Sequence, residues 1–111
     1  VDYCLIYTKA GDFLDQKIEI QKDFFCSFIF PKNFIQSSER RDFYAKTTFT
    51  INRNNTISNI SVKIKFKNSK NEEFNNFLIN QNSEFVKHAI WQAAVSDGIK
   101  VNCNFNITFY N

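Results

Sequence analysis

The chain predicts an α+β domain in which an antiparallel sheet, built in strand–strand–helix–strand order, carries a helix on one face. Three observations predict it. Two alternating apolar–polar segments flank a turn at Arg53-Asn54-Asn55, an Ala-containing apolar stripe at helical spacing follows, and a last alternating segment runs to the end of the chain.

Each element has its own signature. Thr47, Phe49 and Ile51 alternate with polar neighbours, and Ile60, Val62, Ile64 and Phe66 face away from Ser61, Lys63, Lys65 and Lys67. Strands Thr47–Ile51 and Ile57–Phe66 therefore pair as a hairpin, because Asn tolerates the left-handed conformations of its turn. Phe74, Phe77 and Leu78 recur at helical spacing and mark a short helical piece. Asn82 or Ser83 caps a helix over Ser83–Val95, with the stripe Phe85, Val86, Ala89, Ile90, Ala93 and Ala94, and Asp97-Gly98 stops it. In the final strand, Val101–Phe109, the residues Val101, Cys103, Phe105, Ile107 and Phe109 alternate with Asn102, Asn104, Asn106 and Thr108. A crossover helix returns this strand beside the first one, giving the order middle, first, last. The expected core is Phe49, Ile60, Val62, Ile64, Phe85, Ala89, Ile90, Phe105 and Ile107.

The first 44 residues form an extension packing on a 45–111 core within one domain. Tyr3–Tyr7 reads as a strand and Ala10-Gly11-Asp12 as a turn. A hairpin of Lys17–Lys22 and Phe24–Phe30, stopped by Pro31, is the preferred reading, with a helix over Asp12–Gln21 as the alternative. Phe34–Tyr44 reads as helix or loop.

A chain of 111 residues with 14 Phe can bury a real core, and its two Gly and one Pro leave most turns to Asn. Part of the Asn richness reads as compositional bias without functional content. A net charge of +3 is too mild to argue for nucleic acid. No apolar run approaches the ~18–20 residues of a membrane span. The start at Val1 reads as a processing boundary, so any membrane tether would lie outside this stretch.

Candidate chemistry is sparse. Cys4, Cys26 and Cys103 lie far apart, which argues against a zinc site. One disulfide with one free thiol suits an oxidising compartment, and three thiols suit a reducing one. If the N-terminal hairpin forms, Cys4–Cys26 is the expected pair. His88 is the only histidine, with Glu84 one helical turn before it, and it reads as a surface residue rather than a catalytic one. Glu72-Glu73 and Asp12/Asp15 read as solvated charges. Lys63, Lys65 and Lys67 form a basic row whose own strand face carries no aromatic, so base stacking is not supported. Trp91, off the main stripe, either packs under the N-terminal half or anchors a partner. No catalytic residue, metal or cofactor is expected.

From Ala45 to Val62 (AKTTFTINRNNTISNISV), at Phe85–Ala94, and from Ser96 to Phe109, the chain resembles the C-terminal domain of the TonB/TolA family of periplasmic energy transducers. The resemblance covers a little over half the chain. It departs from the family at Asn54-Asn55, which stands where an acidic-Gly turn is usual, in lacking a Pro-rich approach to the last strand, and in the long Asn68–Asn82 connection. It implies a periplasmic, membrane-tethered module that grips envelope proteins. The residues themselves make the closing strand the expected docking edge, because Asn102, Asn104, Asn106 and Thr108 along it are uncharged while lysines guard Ile60–Phe66. The resemblance implies the same strand, and pairing of that edge with the N-terminal half or with a second copy stays open. A small toxin domain of the nuclease type and an immunity or inhibitor protein are the alternatives from other classes.

Overall fold

Ile20 and Phe24 stand four residues apart, and that spacing organises the N-terminal half. The computed structural model describes the backbone of residues 13–111 and the side chains of residues 18–111. Phe13–Ser27 is a helix, α1, rather than the preferred hairpin. Ile20 and Phe24 are both buried on its inner face, with Phe25 partly buried beside them. A helix places i and i+4 on one face, so this apolar pair outweighs the weak alternation of Lys17–Lys22. The alternative reading of Asp12–Gln21 as helix had the right element. The strand and turn expected at residues 3–12 lie outside the described residues.

A loop of residues 28–42 leads to β1 (Phe43–Ile51), which pairs antiparallel with β2 (Ile57–Phe66) across the expected turn. That turn closes through Asn55 N–H on the Asn52 carbonyl and Asn52 N–H on the Thr56 carbonyl, each at 2.8 Å, with Asn55 at φ 66°. The ladder slips by one residue between Thr48 and Thr50, where Asn59 takes φ 56°. This bulge moves Ile57 and Ile60, three residues apart, onto the same core-facing side.

Asn68 caps a 3₁₀ turn over Ser69–Phe74, accepting the Lys70 N–H at 3.0 Å. It runs straight into the second helix, α2 (Asn75–His88). α2 begins eight residues before the expected Ser83 and ends seven before Val95. The chain leaves it at Ala89, which is extended, so that Trp91 can turn back beneath the helix. There the indole Nε1–H donates to the Val86 carbonyl at 2.8 Å, satisfying one of the orphan acceptors at the helix end. Ile90 consequently points outward and is 71% exposed, which corrects its assignment to the core.

Asp97-Gly98, expected as a helix stop, instead joins two short strands, β3 (Ala94–Ser96) and β4 (Ile99–Val101). Both turn residues have positive φ, 51° and 79°, the requirement of a type I′ hairpin. The final strand, β5, is Cys103–Tyr110, separated from β4 at Asn102.

The main sheet has the order β2-β1-β5 with all pairs antiparallel, as the crossover argument expects. Alternate residues of β1 and β5, from Phe43 to Ile51 and from Phe105 to Phe109, turn to one face and are buried. α1 lies over the β5 side and α2 over the β2 side, leaving the other face open. Phe24 stacks on Phe109 at 4.4 Å and meets Phe85 edge-on at 5.5 Å, joining both helices to the sheet. Of the other expected core residues, Phe49, Phe105 and Ile107 are buried, while Ile60, Val62, Ile64, Phe85 and Ala89 are half-buried against the cluster. No helix among the described residues is long and apolar enough to cross a membrane.

Candidate strand-docking edge

The direction of each backbone group on β5 follows from one hydrogen bond and the register. Lys67 N–H donates to the Asp42 carbonyl at 2.9 Å, so even-numbered residues of β1 face β2 and odd-numbered ones face β5. Ala45, Thr47, Phe49 and Ile51 therefore bond Phe109, Ile107, Phe105 and Cys103. The backbone groups of Asn104, Asn106 and Thr108 point away from the sheet, along its outer edge. Gln21 of α1 uses one of them, donating its Nε2–H to the Thr108 carbonyl.

The structure separates the four polar residues expected on this strand. Asn104, Asn106 and Thr108 lie on β5 with exposed side chains on the open face. Asn104 Oδ1 also accepts from Thr50 Oγ1 at 2.9 Å. Asn102 lies in the break before β5 and accepts the Arg53 N–H at 2.8 Å, tying the strand to the β1–β2 turn. Trp91 is not a surface anchor. It is only 3% exposed, with its ring 5.0 Å from Phe49 and 6.2 Å from Phe105.

The open face is basic. Lys46 stands directly opposite Lys63, and Tyr44 opposite Lys65. β1, β2 and β5 contain no Asp or Glu. Tyr110 lies 6.0 Å from Tyr44, and the Arg41 guanidinium sits 4.3 Å over its ring. Aromatics thus do share the lysine face, contributed by the neighbouring strands rather than by β2 itself.

At the end of β5 a turn over residues 37–42 holds Arg40 and Arg41 at φ 62° and 56°, two consecutive non-Gly residues in a left-handed conformation. Asp42 fixes it from inside. Its carboxylate accepts the Ser37 N–H at 3.0 Å and the Asn111 Nδ2–H at 2.9 Å, and its own N–H donates to Asn111 Oδ1 at 2.7 Å. Burial pushes the Asp42 carboxyl up, but the hydrogen bonds from Ser37 and Asn111 and the Lys67 charge outweigh it. The net effect is a pKa below the ordinary aspartate value. Glu39 is likewise held low, by the hydrogen bond and charge of Lys67 at 2.9 Å.

His88 ends α2 with its side chain 78% exposed and 3.0 Å from Glu84, the helical neighbour expected beside it. Cys26 is an exposed free thiol, while Cys103 is disulfide-bonded. The Cys4–Cys26 pair therefore does not form, because the hairpin that would have joined them is a helix. Cys4 itself lies outside the described residues. Among the described residues no three His, Cys, Asp or Glu side chains come together as a metal site. Comparison with protein families, with curated proteins and with solved structures finds no match.

Proposed function

We propose that this chain is a non-catalytic protein-interaction module that takes up an extended partner segment as an added strand on β5. The observation that carries the reading is the outer edge of β5. Asn104 and Asn106 direct backbone donors and acceptors outward, and their side chains are uncharged. An edge without charge repels no incoming strand, whereas Lys63 and Lys65 guard the opposite edge on β2. The resemblance to the TonB/TolA C-terminal domain supports the same strand as the docking element, and with it a periplasmic location and partners among envelope proteins.

The test is partner capture from an envelope extract by the wild type and by Asn104→Pro. The Asn104 N–H faces outward, so proline there removes a donor offered to the partner without breaking the β1–β5 ladder. Capture is expected to be lost while the circular dichroism of the fold is retained. In the wild-type complex the Asn104 and Asn106 amides should become protected from hydrogen exchange. Unchanged capture by a folded Asn104→Pro variant rules the edge out.

A further inference from the structure

A hollow of about 490 Å³ lies between α1, the turn at residues 37–42 and the end of β5. Its walls are aromatic, from Phe25, Phe30 and Tyr110, and Lys22 and Arg40 stand at its rim. The carboxylates of the adjoining turn are engaged elsewhere. Glu39 pairs with Lys67, and Asp42 is turned inward onto Ser37 and Asn111. Among the described residues no carboxylate pairs with Arg40, and Lys22 has only the half-buried Glu19 at 3.7 Å.

The hollow thus combines aromatic walls with a guanidinium that no carboxylate among the described residues pairs. An inorganic anion would leave three rings uncovered, and an internal peptide segment brings no main-chain carboxylate. The C-terminal residue of a peptide brings an apolar side chain and a carboxylate together.

We propose that this hollow binds the C-terminal residue of a peptide, with Arg40 and Lys22 taking the carboxylate and the aromatic walls taking an apolar side chain. The site lies beyond the β5 edge and does not depend on strand capture there. The probe is the peptide Ala-Ser-Ala-Ala-Phe with a free C-terminus, titrated against the same peptide amidated and followed by backbone amide shifts. The free acid should bind about tenfold more tightly than the amide, the scale of one charge-assisted contact. Its shifts should centre on Arg40 and Tyr110. Arg40→Gln, on an exposed turn, should abolish the preference for the acid, and Lys22→Gln should reduce it. Equal affinity for acid and amide, no binding of either at millimolar concentration, or shifts confined to Asn104 and Asn106 would each overturn the site. The last outcome would leave the edge reading standing.

Discussion

Amide side chains in this protein do the work of missing backbone partners. Asn71, fully buried, accepts the Ile35 N–H and donates to the Ile35 carbonyl, both at 2.9 Å, and Gln81 does the same for Ile29 at 3.1 and 2.7 Å. Each clamps a loop residue as a strand neighbour would, which is how a long irregular connection stays on the core. Asn55 accepts the Ala93 N–H at 2.8 Å and anchors the start of the β3–β4 hairpin. The Asn richness that reads as compositional bias is therefore partly structural. Asn82 and Thr47 form the most buried such pair. Asn82 donates to the Leu78 carbonyl at 2.8 Å, and Thr47 Oγ1 reaches Asn82 Oδ1 at 3.4 Å. Thr47 Oγ1 also lies 3.3 Å from the Ala45 carbonyl, so Asn82→Leu leaves it one acceptor and should cost about 1 kcal/mol, while Asn82→Leu with Thr47→Val should recover most of it. Additive losses in urea denaturation would show that the pair is uncoupled. Asp42 gives the pH counterpart. A carboxyl whose folded pKa is depressed stabilises fully above its unfolded value, about 3.9, and that contribution disappears as pH falls through the folded pKa. The wild type should lose stability on acidification below about pH 4, more steeply than Asp42→Asn, and parallel profiles would remove Asp42 from the acid response.

At the scale of elements, the end of α2 decides most of the geometry. Ile90→Asp, costly if the helix ran to Val95, should change stability by no more than about 0.5 kcal/mol, because the side chain is 71% exposed. Trp91→Ala should cost about 3–5 kcal/mol through its contacts with Phe49 and Phe105 and the lost bond to the Val86 carbonyl. The reverse ranking in thermal melts would restore the longer helix. This contrast also shows what alternation and spacing can reveal. β2 is legible to its bounds, and the sheet order follows from handedness, because period-2 patterning is a local consequence of burying one sheet face. The β5 edge is legible for the same reason. Asp97-Gly98 is not, because the same dipeptide ends helices and turns hairpins, and the choice depends on where Trp91 packs. The hollow beside Arg40 is invisible in sequence, since it needs α1 in place and two consecutive left-handed arginines. Across β1 and β2, Lys46 facing Lys63 is a like-charge pair that weakens the ladder. Lys63→Thr should therefore stabilise by about 0.2–1 kcal/mol at low ionic strength, with the gain shrinking as salt screens the pair. A gain independent of salt would assign it to strand propensity instead.

For the whole molecule, the cysteines connect the fold to redox conditions. Three cysteines are present, Cys26 is free and exposed, and Cys103 at the start of β5 is bridged. A disulfide persists in an oxidising environment and would be reduced in the cytosol. Protein exported to an oxidising compartment should show a single reactive thiol under denaturing, non-reducing conditions, and three after reduction. Cys26→Ser should bring the first count to zero and leave stability almost unchanged. Reduction should lower stability by about 2–4 kcal/mol, because it frees the unfolded chain from a closed loop. Cys103→Ser should lose a similar amount and no longer respond to reductant. The consequence for function is specific, since Cys103 begins the strand whose outer edge is proposed to capture a partner. Reduction that leaves the fold intact should weaken capture by loosening the register of Asn104 and Asn106, an effect read as faster amide exchange at those two positions. Three thiols in exported, unreduced protein would remove the bridge. Unchanged exchange at Asn104 and Asn106 after reduction would confine its role to stability.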